Sequence, residues 1–119
     1  MLQHFFWGNR EILDDKDRLL WLSYYLLEEK KESSSTALYG ICITKQIQGN
    51  AEEEQESVIL SDSKPFVQTS LNRIMSGCVT PMGLVEALDD LVGELEHSLR
   101  KIDVNVRPVS YIRPMMKNR

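Results

Sequence analysis

At Asp62 the hydrophobic period of the chain changes, and that change restricts the fold more than any other feature of its 119 residues. Before Asp62, apolar residues alternate or form short blocks, as β-strands require. After it they recur every three or four residues, as amphipathic helices require. Strands first and helices second describe an α+β domain, not an alternating βαβ chain.

The helical half is clearly punctuated. Ser63 or Lys64 opens a helix with Pro65 in its first turn, where a missing N–H costs nothing. Val67, Leu71, Ile74 and Met75 fall on one face, and Gly77 is expected to end the helix as a left-handed cap. Thr80-Pro81 starts a second helix, with Thr80 as N-cap and Pro81 in the first position. This helix is expected to run from Pro81 to about Lys101. Leu84, Leu88, Leu91, Leu95, Leu99 and Ile102, flanked by Val85 and Val92, lie within an arc of about 120°. Glu96 and Arg100 add a supporting pair four residues apart.

The first half predicts a three- to four-stranded antiparallel meander with both helices packed on one of its faces. Leu19 to Leu27 reads as a central strand, rich in aromatics and preceded by a turn at Asp14-Asp15-Lys16-Asp17. Across that turn, Arg10 to Leu13 pairs back as a short strand. Glu28 to Ser35 reads as a polar loop. Leu38 to Ile47 alternates, with Tyr39, Ile41, Ile43 and Ile47 on the buried side and Gly40, Cys42 and Thr44 opposite. Gly49-Asn50 turns the chain, and Gln55 to Leu60 forms the next strand. The expected organisation is an aromatic N-terminal segment over residues 1–9, one domain over 10–103, and a basic tail over 104–119. That tail reads as an edge strand or a disordered extension.

Composition narrows the function classes. With 42% hydrophobic and 27% charged residues the chain holds a real core and an ordinary surface. The longest apolar run, Leu19 to Leu27, is interrupted by Ser23 and falls far short of the roughly 20 residues a membrane-spanning helix needs. No basic residue precedes Phe5-Phe6-Trp7, and Gly8, Asn9 and Arg10 follow at once, so no signal-peptide core is expected. Cys42 and Cys78 lack the close spacing of zinc ligands and read as free thiols, which fits a cytoplasmic protein. Charge is divided. Residues 100–119 hold six basic residues against Asp103, a balance of +5, and residues 1–99 hold eight against 17 acidic ones, a balance of −9. An acidic body of this size argues against general nucleic-acid binding, although Tyr111 among the tail's arginines offers stacking and phosphate contacts.

Several groups invite a chemical reading. Glu86, Asp90, Glu94 and His97 fall within about 80° on the second helix, the arrangement that a divalent metal or a proton shuttle would use. The arc lies opposite the leucine stripe, so it reads as a solvated face that lacks the desolvation a catalytic acid requires. Asp89 and Asp90 point about 100° apart and do not converge. Cys78 reads as a small apolar filler between the helices, and His4 as a packing or surface residue. Gly40, Gly49, Gly77, Gly83 and Gly93 are isolated and build no phosphate loop. Phe5, Phe6 and Trp7 are consecutive, so no regular element buries all three on one face.

Tyr24-Tyr25-Leu26-Leu27-Glu28, then Leu38-Tyr39-Gly40-Ile41, then Gly77-Cys78-Val79-Thr80-Pro81 with Leu84-Val85-Glu86-Ala87-Leu88-Asp89-Asp90-Leu91, stand in a telling order and spacing. In these motifs, roughly from Ile12 to Val92, the chain resembles a family of short bacterial proteins. That family, found mainly in Gram-positive anaerobes, is known only as a domain of unknown function. Its pattern has Val-Val or Val-Leu where this chain has Ala87-Leu88, and it does not share the Phe5-Phe6-Trp7 start or the tail after Leu99. The resemblance implies a small cytoplasmic α+β protein and brings no ligand or catalytic residue.

No catalytic, cofactor-binding or metal-ligating residue is therefore assigned. The expected role is a non-enzymatic protein-interaction or regulatory module that associates with itself or with a protein partner. Its candidate surface comprises Phe5, Phe6, Trp7, Glu86, Asp90, Glu94 and His97. A nucleic-acid-associated regulator using the tail is the alternative, and a metal-binding protein or enzyme using the acidic helix face ranks third. Truncation after Val106 should leave one cooperative thermal transition, because Pro108 and Pro114 interrupt regular pairing beyond it. An insoluble or molten product would instead place Tyr111 and Ile112 in the core.

Overall fold

The computed structural model describes residues 1–30, 35–91 and 93. Four strands, β1 (Leu2–Leu13), β2 (Leu19–Lys30), β3 (Ala37–Ile47) and β4 (Glu53–Ser61), precede α1 (Lys64–Ser76). A 3-10 turn, Pro81–Gly83, then leads into α2, described over residues 84–91 and at 93. The strands form one antiparallel sheet in the order β1-β2-β3-β4, so the chain is a meander followed by two helices, an α+β fold.

The turns follow from their residues. Between β1 and β2 the Asp14 carboxylate accepts hydrogen bonds from the backbone N–H groups of Lys16 and Arg18 and from Arg18 Nε, each at 2.8 Å. Led by the Arg18 backbone bond, these hold the Asp14 carboxyl below its usual pKa range. Asp17 adopts a left-handed backbone, which a short polar side chain tolerates. Between β3 and β4 the chain turns at Gly49-Asn50, where Asn50 N donates to the Ile47 carbonyl and Asn50 Oδ1 accepts from Glu52 N.

All four strands are longer than the sequence pattern predicts, β1 and β2 the most. The short strand expected at Arg10 to Leu13 extends back to Leu2, so residues 1–9 are not a separate segment but most of an edge strand. Likewise β2 runs through Lys30 into the expected loop. Glu28 and Glu29 pair with Gln3 and Leu2 on one side and with Tyr39 and Leu38 on the other. Propensity at Glu-Glu-Lys argues for loop, but pairing on both sides overrides it.

One face of the sheet carries the core. Leu22, Tyr24 and Leu26 of β2, Ile41 and Ile43 of β3, and Val58 and Leu60 of β4 pack on Val67, Leu71 and Ile74 of α1. Leu84, Leu88 and Leu91 of α2 complete the cluster. Gly40 allows the β3–β4 approach. The register shifts there, and a Cβ would run into the Val58 carbonyl oxygen and lie 2.9 Å from Ile59 Cα.

At the N-terminus of α1, Ser63 Oγ caps Phe66 N at 3.3 Å. At its C-terminus the expected left-handed glycine is absent. Gly77 has φ −85°, and the left-handed residue is Cys78, with φ 52°. Cys78 N donates to the Met75 carbonyl and Val79 N to the Ile74 carbonyl, the paired bonds of a Schellman motif centred one residue later than glycine placement suggests. Thr80 stands at the N-cap position of the next turn, but its side chain makes no capping bond; its carbonyl accepts from Gly83 N instead.

The corner between the helices is tied to the sheet by the fully buried Tyr24, whose hydroxyl donates to the Val79 carbonyl at 2.8 Å. Burial pushes the Tyr24 phenol well above its ordinary pKa, so it stays a donor across the physiological range.

Leu88 is fully buried, and Leu88→Ala should cost about 2–5 kcal/mol in chemical denaturation. A loss below about 0.5 kcal/mol would mean that α2 does not pack where described. Tyr24→Phe keeps the ring but leaves the Val79 carbonyl without its donor, and should cost about 1 kcal/mol in the same measurement. An unchanged midpoint would show that solvent replaces the hydroxyl without loss.

Candidate functional site

The aromatic cluster falls on β1, one of the two edges of the sheet. Through Phe6 the register with β2 is regular, and between Phe6 and Gly8 it shifts, leaving Trp7 as the extra residue of a β-bulge. The bulge resolves the problem of three consecutive large side chains. Phe5, opposite Leu26, lies on the helix-covered face, and Phe6, opposite Tyr25, lies on the other. Trp7 turns against the core and donates Nε1–H to Asn72 Oδ1 of α1 at 2.8 Å. Gly8 leaves room for α1, since a Cβ there would stand 2.6 Å from Met75 Sδ.

The three aromatics therefore have different environments. Trp7 is half-buried, whereas Phe5 and Phe6 are 43% and 60% exposed. On the face away from the helices, Tyr25 makes near-perpendicular ring contacts with Phe6 at 5.7 Å and His4 at 6.2 Å. Leu2 and Leu13 of β1 and Trp21 of β2 are also exposed on this face. Its centre is closed, because Leu27 and Cys42 are buried. Accessible apolar surface is thus concentrated along β1 and its immediate neighbour.

The acidic helix face is only partly built from described residues. Glu86 and Asp90 are exposed on α2, opposite the buried Leu84, Leu88 and Leu91. Glu94 and His97 lie outside the described residues, as do Leu95 and the whole basic tail. A surface cleft of about 300 Å³ between β4 and the start of α2 is lined by Glu54, Gln55, Glu56, Pro81 and Met82. Glu54 already pairs with Lys45 at 3.2 Å, and the lining holds no nucleophile beside a base. Among the described residues no three His, Cys, Asp or Glu side chains are grouped to hold a metal ion. Cys42 is buried, and Cys78 packs against the core at the interhelical corner; neither forms a disulfide. No helix among the described residues is long and apolar enough to cross a membrane.

Sequence reasoning found the aromatic cluster but missed the separation of Trp7 from Phe5 and Phe6. A lone glycine inside a strand pattern, here Gly8 directly after the cluster, is the signal for such a bulge.

No curated protein and no solved structure matches the chain. A family model does match, over residues 3–94, from β1 into α2. The match takes in Phe5, Phe6 and Trp7, which the resemblance in the central motifs had left outside. This chain belongs to a family of unknown function, DUF6514.

Proposed function

We propose that the protein is a non-enzymatic interaction module that binds another protein through the apolar surface of β1. The observation that carries this reading is the exposure of Leu2, Phe5 and Phe6 on a strand that, among the described residues, is an edge of the sheet, beside the core on its helix side. Folding alone gives no reason to keep them. Fully burying such a side chain contributes about 1.5–3 kcal/mol, of which these half-exposed residues realise only part in the isolated chain, recovering the rest when a partner covers them. Trp7 is not part of this surface; it holds β1 to α1. That Cys42 and Cys78 form no disulfide supports a reducing compartment, the cytoplasm, as its location.

A photo-crosslinking amino acid placed at Phe6 in the full chain, expressed in cells, should yield protein adducts. The same group at the solvent-facing turn residue Lys16 should not. Absence of adducts from position 6 would end the reading. Phe6→Ser should meanwhile lower monomer stability by less than about 1 kcal/mol, the value of its aromatic contact with Tyr25, since the side chain is mostly exposed. A larger loss would make Phe6 a folding residue.

A further inference from the structure

We infer that the partner is a second copy of this chain, joined edge to edge through residues Leu2–Phe6 of β1 into a continuous eight-stranded sheet. The inference rests on the reading of β1 as a protein-binding surface and specifies its occupant.

The backbone sets the register. Met1 and Lys30 exchange two hydrogen bonds, Met1 N to the Lys30 carbonyl at 2.6 Å and Lys30 N to the Met1 carbonyl at 3.2 Å. In an antiparallel ladder the residues that face the neighbouring strand alternate. Met1, Gln3 and Phe5 therefore direct their N–H and C=O groups to β2, while Leu2, His4 and Phe6 direct theirs outward. An outward row of donors and acceptors on an edge strand is a template for a further strand.

This row is complementary to itself. Two antiparallel copies related by a two-fold axis at His4 set Leu2 of each against Phe6 of the other, and His4 against His4. All the residues so paired are outward-facing, giving about six new interstrand hydrogen bonds. Side chains agree with the backbone. Leu2 and Phe6, exposed by 45% and 60%, cover one another on the face away from the helices, and Phe5 meets Gln3 on the other. No residue from Met1 to Asn9 is acidic or a lysine or arginine.

The rest of the sheet's periphery restricts the pairing to this stretch. The bulge between Phe6 and Gly8 ends the regular row, and Arg10 and Glu11 follow. The opposite edge, β4, begins Glu53-Glu54-Gln55-Glu56, so a second β4 paired across that stretch would bring like charges together. One edge is thus charged against pairing and the other is not.

Sedimentation velocity on the full chain over a wide concentration range tests the inference with His4→Pro and His4→Lys. Proline at position 4 removes an outward N–H and leaves the bonds to β2 intact, a place where edge strands tolerate it. Lysine keeps the backbone and sets two cations face to face on the axis. The wild type should form a dimer. His4→Pro should raise its dissociation constant at least about thirtyfold, as loss of two bonds of ordinary net strength implies, and His4→Lys should raise it severalfold through like-charge repulsion. Both variants should retain the wild-type far-UV circular dichroism. A dimer that survives both substitutions would overturn edge pairing. A wild type that remains monomeric throughout would overturn self-association; crosslinks from position 6 to other proteins would then still leave the parent reading standing.

Discussion

The hydrogen bond from the Tyr24 hydroxyl to the Val79 carbonyl joins the two halves of this fold. Tyr24 sits at the centre of β2, the strand that pairs with both β1 and β3, and its ring is wholly buried in the helix-facing core. Val79 is the residue at which α1 has ended and α2 has not begun. Its N–H closes the Schellman motif on Ile74, and its carbonyl takes the tyrosine proton. Both backbone groups of one corner residue are thus committed, which fixes where α2 departs and so where Leu84, Leu88 and Leu91 meet the sheet. An apolar residue in place of Tyr24 fills the same space without specifying that corner.

The left-handed position in that corner belongs to Cys78, not to Gly77. A side chain in this conformation is strained relative to glycine, and at this site it also packs against the core. The side-chain packing therefore offsets backbone strain that a glycine would avoid. This explains why glycine placement misjudged the cap by one residue. The rule that glycine marks the left-handed residue assumes that no side chain is needed there.

What was legible in the sequence depended on whether the determining interaction was local. The change of period at Asp62, Ser63 before Pro65, and the turn at Gly49-Asn50 act within a few residues, and the structure follows them. The lengths of β1 and β2 are set by pairing across the sheet. Glu28, Glu29 and Lys30 are held in a strand by Leu2 and Gln3 on one side and Ala37 to Tyr39 on the other. A local pattern carries no record of such partners. The same limit applies to Trp7, whose partner Asn72 is 65 residues away. The candidate surface was legible as three adjacent aromatics, but its division between core and solvent was not.

That division reflects two demands made of one strand. The half of β1 beyond the bulge serves the fold, with Trp7 and Ile12 packed against the core and Gly8 admitting Met75 of α1. The half before the bulge is bonded to β2 through alternate residues and otherwise buries little. A regular strand through Trp7 would set its ring on the same face as Phe5 but in step with the ladder, whereas the extra residue lets it lean onto α1. The bulge therefore anchors the strand at its middle and leaves Leu2 to Phe6 in regular register with β2 and without an acidic residue, lysine or arginine. An edge that only needed protection from unwanted pairing would carry the bulge or a charge within that stretch, as the glutamates of β4 do on the other side. Its absence from residues 2–6 is the reason the added strand we propose is placed on this edge and not on β4.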